Sequence, residues 1–155
     1  MATVEQSTVE AITSDAAFPA LAREYAAEAD AAHLGDHPCA TGNLATYRDL
    51  EAAGVVHSFA VRIDGALVGF AAVLLAEHPH FSRLLATLDT IFVRASAREC
   101  GAGARLLAHI ERFAREAGAA GMYVSAPAGG QLEQVMHRNR HYRQTNAMFF
   151  KTFKE

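Results

Sequence analysis

The feature that most constrains this chain is the dipeptide Asp64-Gly65, which stands between two β-rich runs, Val55 to Ile63 and Ala66 to Ala76. Asp-Gly supplies the positive φ angles of a tight type I′ turn, so the two runs must pair as an antiparallel hairpin. After the His78-Pro79-His80 loop, Leu84 to Val93 reads as a third long strand, and its nearly continuous apolar character predicts cover on both faces. Gly103, Leu106, Leu107, Ile110, Phe113, Ala114 and Ala117 then keep a 3.6-residue period as far as Gly118, the strongest helix signal in the chain.

The flanking segments are read the same way. Residues 1 to 6 look frayed, and Thr8 to Ile12 alternates weakly enough to predict a short first strand. Ser14 or Asp15 can cap a helix whose Phe18, Leu21, Ala22, Tyr25 and Ala29 share a face, with Pro19 tolerated in the first turn. The turn-rich stretch Leu34 to Gly42 ends it. A second amphipathic helix is predicted from Asn43 to Ala53, carrying Leu44, Tyr47, Leu50 and Glu51, with Gly54 as its stop. Gly121 to Ala126 predicts a further strand, Gln131 to Arg138 a helix, and Tyr142 to Phe153 a closing strand or hairpin. This order describes one α+β domain over residues 1–155, with a mixed, mostly antiparallel central sheet flanked by helices.

Composition narrows the function classes. A chain of 155 residues, 51% hydrophobic and 20% charged, is the size of one domain with one core. Its formal charge of −3 offers no broad cationic field for phosphate backbones or anionic lipid, so neither nucleic acid nor a membrane is expected as a partner. The start, Met1-Ala2-Thr3-Val4-Glu5-Gln6, lacks a basic segment followed by an apolar core, and a cytoplasmic protein is expected. Cys39 and Cys100 form neither a CxxC nor a Cys/His zinc pattern, and both are expected as free thiols. His78-Pro79-His80 has two imidazoles but no further clustered ligand, so no metal site is expected there.

The strand from Leu84 to Val93 feeds the best helix through Arg98-Glu99-Cys100-Gly101-Ala102-Gly103-Ala104. A glycine-containing loop ahead of a helix presents backbone N–H groups to an anion, and the helix dipole adds attraction. A dinucleotide fingerprint would want a third glycine where Leu106 stands, and a GxxxxGK[ST] loop would want lysine. Neither is present.

Here the chain resembles the GNAT acetyltransferases, whose diagnostic segment is a strand, then Arg/Gln-x-x-Gly-x-Gly/Ala, then a helix. Leu88-Asp89-Thr90-Ile91-Phe92-Val93 leads through Arg98 into Gly101 and Gly103 in that pattern. Two early helices, the Asp64-Gly65 hairpin followed by Leu67-Val68-Gly69-Phe70, and the late helix match the family order. The resemblance implies an N-acetyltransferase using acetyl-CoA, with the loop amides on the coenzyme A pyrophosphate and the backbone of Ile91, Phe92 and Val93 along the pantetheine arm. It also implies an amine acceptor, small or on a protein, and allows a homodimer formed through sheet or helix edges.

Transfer from a thioester to an amine needs a neutral nucleophile. Deprotonating a lysine-like amine of pKa ~10.4 at neutral pH costs about 4 to 5 kcal/mol, so a base matters. A leaving thiol with pKa near ~8.5 needs less protonic help. Asp89 is the only carboxylate in the apolar strand, which makes it the candidate base; service at a bulge or pairing with an arginine is the structural alternative, and Glu77 is the reserve. Relatives often carry Tyr-x-x-x-Gly-Phe near the C-terminus, with the tyrosine protonating sulfur. Here His137-Arg138-Asn139-Arg140-His141-Tyr142 stands there, so His137 takes the acid's position and Tyr142 an aromatic packing position. The asparagine that often follows the fifth strand in relatives is missing, with Ala126-Pro127-Ala128-Gly129-Gly130 in its place. These departures leave a non-catalytic acyl-CoA-binding or sensing module as the alternative. His80 and Phe81 border the acceptor cleft by the same resemblance, and Cys100 is a spectator in the loop.

Overall fold

A computed structural model describes residues 1–29 and 43–153. Five strands lie in spatial order β1-β2-β3-β4-β5: β1 Ala2–Ser7, β2 Val56–Ile63, β3 Ala66–His78, β4 Arg83–Val93 and β5 Met122–Val124. The first four are antiparallel neighbours, whereas β5 joins β4 in parallel. Helices α1 Val9–Thr13, α2 Phe18–Glu28, α3 Leu44–Ala52, α4 Ala95–Arg98, α5 Ala102–Glu116 and α6 Gln131–Arg138 complete the described elements. Among them no helix is long and apolar enough to cross a membrane. The turn-rich stretch Leu34 to Gly42 and Cys39 lie outside the described residues.

The expected mixed, mostly antiparallel sheet with flanking helices is what forms. Asp64 and Gly65 both have positive φ, 50° and 83°, and join β2 to β3 as the turn chemistry requires. Two expectations at the termini are corrected. The first strand is Ala2–Ser7, not Thr8–Ile12: Ala2 and Val4 pack on the α5 side of the sheet, and pairing runs from Ala2↔Ile63 to Ser7↔Ser58. Val9 and Ile12 are both buried at helical spacing, with the Thr8 hydroxyl accepting from Ala11 N, so that stretch is α1. At the other end, no strand forms between Tyr142 and Phe153; Asn139 O and Oδ1 accept from Tyr142 N and His141 N in a turn that follows α6.

Two apolar layers sandwich the sheet. Phe59, Val61, Val73, Ala86, Leu88 and Val93 meet Leu106 and Ile110 of α5 on one face. Ala60, Leu67 and Phe92 meet Ile12 and Leu21 of α1 and α2 on the other. A bulge in β4 reconciles the two. Ala72 pairs with Thr90 but Val73 pairs with Leu88, leaving Asp89 as the extra residue. Before it, Ala86 and Leu88 face α5; after it, Ile91 and Val93 do, and Phe92 joins the opposite layer. The β4 strand is thus covered on both faces beyond the bulge, and Asp89 sits where the parity flips.

The entry to α2 is fixed by charge. Asp15 accepts a hydrogen bond from Ala17 N and pairs with Arg62 of β2 at 2.9 Å. The backbone bond, then the arginine, hold its carboxyl below the usual carboxylate range. A depressed carboxylate contributes stability above its unfolded pKa and loses it as pH falls through the folded one. Asp15→Asn should therefore cost about 1 kcal/mol at pH 7, with wild type and variant converging as pH falls through the lowered carboxyl pKa, as urea titrations at several pH values would measure.

Candidate active site

The parallel pairing of β4 and β5 is brief: Ala86↔Met122, Thr87↔Tyr123 and Leu88↔Val124. From the bulge onward β4 has no strand on that side among the described residues. Arg94 N donates to Val68 O toward β3, so strand alternation turns the backbone groups of Ile91 and Val93 toward the open side and those of Phe92 toward β3. The three consecutive residues are thereby divided. Ile91 and the Val93 amide present an edge that no strand pairs, with Val93 O taken by the Arg98 side chain, while the Phe92 side chain packs against Tyr25 and Phe70 with ring centroids 5.8 and 5.9 Å apart.

The open edge runs into the loop. Gly101 has φ 75°, in the left-handed region, and it starts α5, whose first intrahelical bond is Arg105 N to Gly101 O, 3.0 Å. The amides of Ala102, Gly103 and Ala104 thus belong to the first turn and have no helical acceptor. A Cβ at Gly103 would meet nothing within 4 Å, so internal packing does not require its bareness. Glu99 and Cys100 are exposed, and Cys100 is a free thiol.

The Arg98 side chain is already engaged. Its Nε donates to Val93 O at 2.7 Å, Nη1 to Gln131 Oε1 at 3.0 Å and Nη2 to Glu28 Oε2 at 2.5 Å, and it lies over the Phe92 ring at 5.6 Å. It ties the end of β4 to α2 and α6. Arg94, one step past β4, pairs with Glu24 at 2.6 Å. Arg98 therefore orders the loop through Glu28 and Gln131, two partners sequence reasoning did not single out.

Asp89 is exposed, so a burial cost is not what singles it out. Its Oδ2 accepts hydrogen bonds from the Tyr47 hydroxyl of α3 and from Thr90 Oγ1, the latter at 3.1 Å. Burial, then the hydrogen bond to Asp89, push the Tyr47 phenol up to about 12. Tyr47 is thus a proton donor throughout the physiological range. His137 is on the last turn of α6, exposed, with Nε2 3.8 Å from Glu133 Oε1 and no contact with Asp89. The Tyr142 hydroxyl donates to Glu111 Oε1 of α5 at 2.7 Å, and burial and that bond raise its pKa, which fits packing. Glu77 is exposed near the far end of β3, while the His78 ring lies tilted against Phe81 and the His80 ring meets it edge-on, with centroids 4.7 and 4.9 Å apart.

A strand edge left without a neighbour beyond Leu88, next to a helix that starts at glycine, is an arrangement with backbone donors and acceptors available to an extended ligand. Residues 19–131 match the acetyltransferase (GNAT) family, and the chain belongs to it. Members of that family are N-acetyltransferases that take the acetyl group from acetyl-CoA. Among curated proteins no sequence matches significantly. Solved structures share the fold. An aminoglycoside acetyltransferase from an uncultured soil metagenomic sample is 16% identical with a TM-score of 0.73, over 100% of this chain and 99% of that one. The ribosomal-protein-alanine N-acetyltransferase of Brucella melitensis biovar Abortus 2308 is 17% identical with a TM-score of 0.72, over 98% and 99%. The aminoglycoside N-acetyltransferase AAC(6')-Iy, crystallised with CoA, is 20% identical with a TM-score of 0.73, over 99% and 95%.

Proposed function

We propose that this chain transfers an acetyl group from acetyl-CoA directly to a primary amine, on a small molecule or a protein, in a ternary complex. The observation that carries this reading is the β4 edge, without a neighbouring strand at Ile91 and the Val93 amide, leading from Asp89 to the first turn of α5. Acetyl-CoA supplies the activated acyl carbon and a thiolate leaving group. The backbone from Ile91 to Val93 holds the pantetheine arm, and the loop Arg98, Glu99, Cys100, Gly101, Ala102, Gly103 and Ala104 holds the pyrophosphate. Asp89, directly or through water, takes the amine's proton. His137 donates one to the sulfur, a role supported by its imidazole chemistry and its place in the family pattern rather than by any contact with Asp89.

Gly101→Val tests the donor site. A β-branched residue cannot adopt the left-handed φ without about 1 to 2 kcal/mol of strain, so CoA affinity by calorimetry should fall roughly tenfold or more. Unchanged affinity would remove the loop from the site. The site of action is the cytoplasm, where an exposed thiol such as Cys100 stays reduced. A homodimer is also part of the reading, supported by Met148, Phe149 and Phe153 at 87%, 95% and 83% exposure. Sedimentation at micromolar concentration should give twice the chain mass; a monomer would refute that part alone.

A further inference from the structure

Between α3 and the strands β3 and β4 lies a cleft of about 230 Å³, lined by Asn43, Thr46, Tyr47, Leu50, Leu74 and Asp89. Asp89 is the only charged group among those residues. Leu50 and Leu74 give it apolar walls, and Tyr47, half-buried, reaches from α3 to the carboxylate. The two oxygens of Asp89 are not equivalent. Oδ2 is taken by the hydroxyls of Tyr47 and Thr90, and among the described residues no hydrogen bond reaches Oδ1.

We propose that this cleft is the acceptor's amine subsite, in which Tyr47 fixes Asp89 through Oδ2 so that Oδ1 meets an ammonium carried on an unbranched aliphatic stem between Leu50 and Leu74. The inference rests on the transferase reading and names the substrate class for that site. An alkylammonium with pKa ~10.4 arrives charged at neutral pH and needs one anion at the end of an apolar slot. Its methylenes are stabilised by leaving water for the leucine side chains. A polyhydroxylated amino sugar would instead leave hydroxyls without partners against leucine, a desolvation cost its own amine does not offset. Tyr47 is a positioning residue in this account. Its hydroxyl stays protonated, so it orders the carboxylate without competing for the amine's proton.

The test follows the Leu50 and Leu74 methyl resonances while n-pentylamine, n-pentanol or glucosamine is added to the protein saturated with CoA. Binding of CoA itself is read separately from the amides of Gly101 to Ala104, so failure of the donor site is distinguished from failure of the cleft. Expected are saturable shifts with n-pentylamine, at least about tenfold tighter than with glucosamine, and a preference over n-pentanol that Asp89→Asn abolishes. Tyr47→Phe should reduce that amine-over-alcohol preference while leaving n-pentanol binding unchanged, which a loss of packing alone would not do. Equal affinity for glucosamine, no saturable shift with n-pentylamine, or a preference unaltered in Asp89→Asn and Tyr47→Phe would overturn the proposal whether or not the protein acetylates other amines.

Discussion

Replacing Asp89 with asparagine should lower kcat/KM for the amine by on the order of 10²- to 10⁴-fold, the range associated with loss of a positioned base. Acetyl-CoA affinity should stay within about twofold, because the proposed donor site lies on backbone beyond the bulge. Asparagine is close to isosteric and its carbonyl can still accept from Tyr47 and Thr90, so a large effect would report lost charge rather than a collapsed site. His137→Ala is the comparison. A thiol of pKa ~8.5 leaves without much help, so removing that acid should cost less than about tenfold in kcat. Initial rates of thiol release across pH, with each substrate varied, separate the two roles. Equal activity of Asp89→Asn and wild type would take Asp89 out of the chemistry and leave it as a residue that serves the bulge.

The largest effect on stability is expected at Gly69. A Cβ there would lie 2.9 Å from Val61 Cγ1 and 3.0 Å from Val93 Cα, and closer still to the Phe92 carbonyl oxygen. Two of those three atoms are backbone of β4, which cannot rotate away. Gly69→Ala should therefore cost about 3 kcal/mol or more, through displacement of β4 from β3. For a chain of this size that is a fall in Tm of roughly 6 to 12 °C, measurable by thermal unfolding. The same displacement moves the edge formed by Ile91 and Val93, so CoA affinity should fall in the fraction that remains folded. Gly103→Ala is the control, since its Cβ would meet nothing. Equal melting of Gly69→Ala and wild type would show that β3 and β4 are less closely apposed there than the structure describes.

What could be read from sequence follows the strength of the local signal. Asp64-Gly65 announced its hairpin because few dipeptides accept two positive φ angles, and α5 announced itself through a long amphipathic period. Both stand in the structure. The loop after β4 was legible for the same reason, since glycine at a helix start is a backbone requirement carried by one residue type. The termini were not. Val9 and Ala11 alternate as a strand would while Val9 and Ile12 fit a helix of one turn, and only the cap from Thr8 and the pairing of Ala2 to Ser7 with β2 decide between them.

Long-range partners were equally hidden. Asp89 was found as an isolated carboxylate in an apolar strand, but its reason for being there is a bulge, which depends on the register against β3. Tyr47 is 42 residues away and looked like one more apolar position on an amphipathic helix. Glu28 and Gln131, which hold Arg98, lie on opposite sides of it in sequence and meet only once the sheet has folded. Neither has a local signature that periodicity could expose.

The central claim is amine-dependent release of CoA from acetyl-CoA. The most direct measurement incubates the purified protein with acetyl-CoA and a panel of primary amines, following free thiol and the mass of the amine product together. Expected is thiol release that depends on the amine, matches acetylated amine mole for mole, and falls sharply in Asp89→Asn. Tight CoA binding with no amine-dependent thiol release across the panel would contradict it, and would leave the chain as a coenzyme-binding module built on a transferase fold.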